Sequence, residues 1–393
     1  MTLGGELLSA LCNSVERACL IAVELKRFLC NSLIEAKEDE LKNENAQSDF
    51  KTFADVLIQQ VIIRDLESSF SELKGQVFGE ESDKITVHGK VVPVKLSESD
   101  SDVVQTHHVL SEVLKNKECI ETLIDIIHRK GKFQENLWMS GDFDDFEIDL
   151  GNLAFWIDPI DCTKEYIKAA IKDCRDFDNR RTVEQGLPCV TCLVGAFDVT
   201  SGTPILGVIA QPFVSTSVSI KPRTSEVFNS ELFWGICTPK LKATNINQEI
   251  VKEIGIARKA NASTELPVTV LSKSSNDFLQ ALSGHFDSIR TCGAGKKCLT
   301  TLLGFSDCFI NSSGGVYFWD MCGPHAILLA LGGEIFSLME FKENGLEMKP
   351  IRYAVPSKFP LEQVSECCLK NGFIYALEYE KVLSKLKPCF LSE

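Results

Sequence analysis

The segment Trp156-Ile157-Asp158-Pro159-Ile160-Asp161-Cys162-Thr163 carries the densest chemistry in this chain. The apolar run from Leu153 to Ile157 reads as a buried strand. It delivers Asp158 at its C-terminal end, where open sheets place ligands. Pro159 fixes a turn, so Asp161 projects back beside Asp158 with the Ile160 carbonyl between them. Two carboxylates and a carbonyl so close together form a hard-oxygen set suited to Mg2+ rather than Zn2+. From Cys162 onward the chain reads as a helix start whose free N–H groups face the same point. A helix N-terminus beside a metal cluster is a phosphate site. The competing reading is an ordinary N-cap Asp with an incidental Asp one turn earlier.

Three further acidic motifs lie elsewhere. Gly79-Glu80-Glu81-Ser82 follows a short strand-like piece, Gly75 to Phe78. Thr52-x-x-Asp55 opens a helical pattern over Thr52 to Phe70. Trp319-Asp320 precedes an apolar helix read over His325 to Leu331. Singly, each has a plain reading: solvated acids, a capping box with Asp in the N3 place, and an N-terminal Asp. Gly293-Ala294-Gly295 opens another helix, read over Lys297 to Leu303, with Lys297 within reach of an anion.

These motifs must be positioned by a chain of 393 residues, long enough for two packed domains. The pattern divides them at 1–235, an α+β part with most of the acidic motifs, and 236–393, an α/β part with alternating strands and helices. Residues 188–198 read as a strand, so Cys189 and Cys192 would point to opposite faces, and the sixteen cysteines read as buried thiols. Residues 83–150 read as polar helix and loop, and Phe278 to Leu282 as a helix. The net charge of −14 argues against nucleic acid as a partner. It also means that an anionic substrate needs a local positive field from metal ions, helix N-termini and a few placed cations. Met1 to Cys30 reads as an amphipathic helix rather than a signal sequence. No window of about 20 apolar residues is present, so no membrane partner is expected. A cytoplasmic monomer is the expectation.

Thr-x-x-Asp, Gly-Glu-Glu-Ser, Asp-Pro-Ile-Asp-x-Thr and Trp-Asp, in that order, resemble the lithium-sensitive, magnesium-dependent phosphomonoesterase superfamily. Inositol monophosphatase, bisphosphate nucleotidase and fructose-1,6-bisphosphatase belong to it. The resemblance runs from about residue 10 to residue 380. The 76 residues between Glu81 and Asp158 favour the branch that removes the 1-phosphate from inositol 1,4-bisphosphate and inositol 1,3,4-trisphosphate. The implied fold is a layered α-β-α-β-α sandwich of two packed domains. The implied cofactor is two or three Mg2+ ions, with Li+ as inhibitor. Glu80, Asp158 and the Ile160 carbonyl would hold one metal, and Asp158, Asp161 and Asp320 a second, with Glu81 in support. Asp55 and Thr163 would orient and deprotonate the attacking water. Cys162, where the family usually carries Ser or Gly, and Thr163 would hold the scissile phosphate. Ser274, Gly293, Ala294 and Lys297 would line the rest of the substrate. A bisphosphate nucleotidase is the runner-up. A catalytically dead phosphoinositide-binding scaffold would require a lost ligand, and none is lost.

Overall fold

The computed structural model describes residues 2–37, 49–97, 102–129, 147–171, 185–215, 228–260, 269–271, 286–312, 314–345, 347–362 and 364–390. Helical spacing of apolar residues builds the first layer. α1 (Gly4–Phe28) buries Leu7, Leu11, Val15, Ala18, Ala22 and Leu25, and α2 (Phe53–Ser69) buries Leu57, Ile58, Val61 and Ile62. These stripes cover one face of a six-stranded sheet. Its strands are β1 (Val77–Gly79), β2 (Leu153–Asp161), β3 (Thr191–Asp198), β4 (Pro204–Ser215), β5 (Phe228–Cys237) and β6 (Lys242–Thr244). They lie in the order β6-β5-β4-β3-β2-β1. Only β1 and β2 are parallel; the other neighbours are antiparallel. Between β1 and β2 in sequence come α3 (Val103–Val113) and α4 (Lys117–His128). α5 (Thr163–Ile171) follows β2 directly.

The second half adds α6 (Gln248–Ala260) and a five-stranded sheet. This sheet comprises β7 (Thr269–Leu271), β8 (Ser288–Arg290), β9 (Cys308–Asn311), β10 (Glu334–Ser337) and β11 (Phe373–Ala376), in the order β8-β7-β9-β11-β10. α7 (Ala294–Leu302) and α8 (Phe318–Ala330) lie between the two sheets. α9 (Leu338–Asn344) and α10 (Tyr379–Phe390) close the outer face through Phe341, Leu383 and Leu386. The result is the expected α-β-α-β-α sandwich. The division expected after residue 235 falls within β5, and the first sheet ends at Thr244. No helix among the described residues is long and apolar enough to cross a membrane.

One packing device fixes the site. Gly195, Gly207 and Gly235 stand side by side on three adjacent strands. A Cβ on Gly195 would lie 2.2 Å from the Gly323 nitrogen, on Gly207 2.0 Å from the Gly323 carbonyl oxygen, and on Gly235 2.6 Å from Ile327 Cα. The three glycines form a trough in which the backbone of α8 rests. This contact also corrects the expected helix over His325 to Leu331. The helix starts seven residues earlier, at Phe318, and carries Gly323-Pro324 within it. Packing on the sheet overrides the local tendency of Gly-Pro to end a helix.

Other expectations change too. Residues 83–150 contain a hairpin, Lys84–Val87 with Lys90–Pro93, turned by His88 and Gly89, both at positive φ. Cys189 ends a 3-10 turn, Leu187–Cys189, just before β3 begins at Thr191, so the strand argument for its side chain does not apply. The expected helix over Phe278 to Leu282 lies outside the described residues.

Candidate active site

β2 is buried along its whole length and runs through Asp161, four residues past the expected strand end at Ile157. Its pairing with β3 shifts register between Asp158 and Asp161: Asp158 stands opposite Leu193, and Asp161 opposite Thr191. This bulge at Pro159 and Ile160 re-aims the two acids to one side. On the other flank, β1 runs parallel to β2, and the Glu80 N–H donates to the Ile157 carbonyl at 3.1 Å. Glu80 is thereby set beside Asp158. α8 brings Asp320 from above. Its first turn is closed by the Tyr317 N–H donating to Asp320 Oδ2 at 2.6 Å, and Tyr317 stacks on Trp319 at 4.6 Å between ring centroids. Trp319 packs in turn against Trp156 of β2, at 5.9 Å. Each such buried aromatic contributes about 1.5–3 kcal/mol of burial free energy, so the Asp320 turn is rigidly seated.

Asp158, Asp161 and Asp320 are all buried, with carboxylate oxygens within 4.8 Å of one another. Burial, followed by the neighbouring acids, pushes Asp158 and Asp320 well above the ordinary carboxylate range. Asp161 is raised by burial, against the pull of hydrogen bonds from the Gly295 N–H at 2.7 Å, Thr191 Oγ1 at 3.0 Å and the Ala294 N–H at 3.2 Å. Glu80 is pushed up to about 7, by burial and by Glu81 against the opposing pull of Lys37. Asp158 Oδ1 is buried with no hydrogen-bond partner. A buried carboxylate oxygen left bare among other acids is costly unless a cation completes it. The donor set is all oxygen, and it fits a small hard divalent ion.

The Thr52 capping box is real, and the water-activating assignment is compatible with it. Asp55 Oδ2 accepts from the Thr52 N–H at 2.7 Å, which fixes the side chain and leaves Oδ1 3.4 Å from the Thr163 hydroxyl. Thr163 Oγ1 also lies 2.9 Å from the Ile160 carbonyl oxygen. Burial and the charge of Glu81 raise Asp55 to about 8. Cys162, half-buried, stands between the cluster and α5 with φ 74. Gly293 at φ 77 comes so close that a Cβ on it would lie 2.7 Å from Asp161 Oδ2. The first-turn N–H groups of α7 hold Asp161. Ala294 therefore reaches the cluster through its backbone. Lys297 is buried, not a solvated surface lysine. Its charge acts on Asp161, and its Nζ lies 5.4 Å from the centroid of the Phe309 ring. Ser274 lies outside the described residues.

Three residues of the site escaped sequence reasoning. Lys37 is buried, with Nζ 2.5 Å from Glu80 and 2.8 Å from Glu81. Burial opposes its charge, but the two glutamates and Asp49 hold its ammonium well above the usual lysine range. Nothing in an acidic loop marks one lysine out. Gln59 grips the backbone of Glu81 on both sides: the Glu81 N–H donates to Gln59 Oε1 at 2.9 Å, and Gln59 Nε2 donates to the Glu81 carbonyl. Gly79 makes this possible, since a Cβ there would lie 2.1 Å from Gln59 Oε1. The available signal was a polar residue four positions after Asp55 on an otherwise buried helix face. Thr191, a hydroxyl interrupting an apolar strand, offered a similar one.

The oxygen-only acid cluster at the strand ends of this layered fold could hold a cation, and the sequence comparisons make the chain a phosphomonoester hydrolase. The inositol monophosphatase family profile matches residues 14–364, and the chain belongs to that family. It is 33% identical over 367 residues to the inositol polyphosphate 1-phosphatase of Mus musculus, covering 90% of this chain and 89% of that one. It is 32% identical to the Homo sapiens protein of the same name, over 88% and 86%. The 3'(2'),5'-bisphosphate nucleotidase 1 of Dictyostelium discoideum is 26% identical over 72% of each chain. Among solved structures, the extragenic suppressor protein suhB from Bartonella henselae shares the fold, with a TM-score of 0.51 at 14% identity over 97% of this chain and 98% of that one.

Proposed function

We propose that this chain removes the 1-phosphate from inositol 1,4-bisphosphate and inositol 1,3,4-trisphosphate, with Mg2+ as cofactor and Li+ as inhibitor. The observation that carries the cation requirement is the bare, buried Asp158 Oδ1 within a three-acid cluster. Identity to relatives named inositol polyphosphate 1-phosphatase supports the substrate.

Glu80, Asp158 and the Ile160 carbonyl are the proposed ligands of one ion, Asp158, Asp161 and Asp320 of a second, with Glu81 supporting the first. When bound, such ions supply the positive charge that lets a phosphate dianion enter an acidic site and that lowers the pKa of an attacking water. The residues of the chain do the positioning. Asp55 Oδ1 and the Thr163 hydroxyl face one another across 3.4 Å. In this reading they orient the water, and Asp55 takes its proton through Thr163. The turn at Cys162 and the start of α5 present N–H donors to the scissile phosphate. Gly293 and Ala294 let the inositol approach the α7 backbone. Lys297 answers a second phosphate by leaving the Phe309 face, and Ser274 is assigned to the same region.

Phosphate release with Mg2+ from inositol 1-phosphate, inositol 1,4-bisphosphate, inositol 1,3,4-trisphosphate, adenosine 3',5'-bisphosphate and fructose 1,6-bisphosphate tests this. The highest kcat/KM is expected on the inositol polyphosphates. A preference for the adenosine bisphosphate would overturn the substrate and leave the acid-cluster chemistry standing.

A further inference from the structure

Three thiols converge beside the acid cluster, and the reaction uses none of them as a thiol. Cys162 follows Asp161 and opens the turn into α5. Cys292 precedes Gly293 and opens the turn into α7. Cys189 ends the 3-10 turn before β3. The Cys162 and Cys292 side chains are neighbours, and that contact, with burial behind it, pushes the Cys162 thiol well above the usual thiol range. Their backbones are also close: a Cβ on Gly293, the neighbour of Cys292, would lie 3.3 Å from Cys162 Cβ. Both residues keep part of their surface exposed. Cys189 is fully buried, with its sulfur 3.4 Å from Thr291 Oγ1 and accepting the Cys292 N–H. Cys162 further holds φ 74, a conformation that costs a side-chain-bearing residue on the order of 1–3 kcal/mol.

We propose that Cys162 and Cys292 are a redox modification site, which closes to a disulfide between the α5 turn and the α7 turn and switches the phosphatase off. The oxidant is a small disulfide such as oxidised glutathione. The thiolate of one cysteine attacks a sulfur of the oxidant and releases one glutathione. The thiolate of the second attacks the mixed disulfide and releases the other. Two protein thiols become one disulfide, one glutathione disulfide becomes two glutathione thiols, and the two protons given up by the protein thiols end on the two departing glutathione thiolates.

The geometry explains why closure would inhibit. The two sulfurs must come to about 2.05 Å to form the bond, which ties the two turns to one another. One of them carries Asp161 and Thr163 on either side of Cys162. The other carries the N–H groups that hold Asp161. A misplacement of about 1 Å at such groups costs on the order of 100-fold in rate.

The activity readout rests on the phosphatase function, whereas the crosslink is measured without it. The full-length protein is incubated with oxidised glutathione, alkylated, digested without reduction and mapped by mass spectrometry. A peptide joined through Cys162 and Cys292 is expected. Phosphate release should fall ten- to a hundredfold in step with it and return with dithiothreitol. Cys292→Ser should keep its turnover under the same oxidant, and Cys189→Ser should still crosslink and lose turnover. Absence of the Cys162–Cys292 peptide, glutathione retained on Cys162, or inactivation of Cys292→Ser to the wild-type extent would each overturn the proposal. If Cys292→Ser does not fold, the wild-type peptide map and its reversal by dithiothreitol decide alone.

Discussion

Asp158→Asn should abolish turnover and yet make the metal-free protein more stable. Asp158 faces two acids at no more than 4.8 Å. A pair of full charges at that distance repels by about 3.5 kcal/mol at an effective dielectric near 20. Protonation relieves part of this, because burial and the neighbouring acids raise the folded-state pKa of Asp158 and Asp320. Asn keeps the shape, carries no charge, and its amide can donate to Asp320. A stabilisation of about 1–3 kcal/mol in EDTA at pH 8 is expected, which for a chain of this length is a melting rise of about 1–4 °C. The sign with pH follows from linkage. An unfolded Asp or Glu loses its proton near pH 4, whereas in the fold these groups hold it longer, Glu80 up to about 7. Between those limits the folded state binds more protons. Wild-type stability in EDTA should therefore fall as pH rises from 5 to 8, and that of Asp158→Asn should fall less. Mg2+ requires the ionised acids, so its stabilising effect should grow over the same range. Saturation at a hundred times the dissociation constant adds about 2.7 kcal/mol. Differential scanning calorimetry with EDTA or Mg2+, at pH 5.5, 7 and 8, measures all of this. An Asp158→Asn protein less stable than wild type in EDTA at pH 8, or with an undiminished response to Mg2+, would refute the reasoning.

Asp55→Asn should lower kcat by on the order of 10²–10⁴ with the Mg2+-induced melting shift largely kept. Retention of more than about half of wild-type turnover would remove Asp55 from water activation. Gly207→Ala should push α8 off its trough, because the new Cβ meets the Gly323 carbonyl oxygen at 2.0 Å. A loss of about 1–3 kcal/mol is expected, with weaker Mg2+ binding by calorimetry as Asp320 is displaced; an unchanged affinity would show that the trough does not position Asp320. Lys297→Ala should cut kcat/KM on inositol 1,4-bisphosphate by about ten- to a hundredfold and barely affect inositol 1-phosphate. Equal losses on both would instead assign Lys297 to Asp161, which its charge already reaches. Millimolar Li+ should inhibit uncompetitively, so relief by excess substrate in steady-state kinetics would contradict that order of binding.

The sequence by itself carried the chemistry proposed for the site. Asp158-Pro159-Ile160-Asp161 read as a hard-oxygen metal site on its own residues, whereas Glu80, Asp55 and Asp320 had plain readings singly and took their roles from the order of the four motifs and the family it resembles. Local rules also placed β2, α2 with its Thr52 cap, and the glycine start of α7, because strand burial, capping and positive φ are decided within a few residues. Tertiary structure decided what those rules cannot see. Gly195, Gly207 and Gly235 look like ordinary strand glycines until three strands align in register and a helix lies across them; only then is Gly323-Pro324 carried inside α8 and Asp320 brought to Asp158. Lys37, Gln59 and Thr191 act on acids 22 to 43 residues away in sequence, a distance at which neither spacing nor periodicity carries information. The N–H groups of α7 went to Asp161 because the bulge at Pro159 and Ile160 delivers a carboxylate there, and a helix N-terminus takes the nearest anion that the fold supplies.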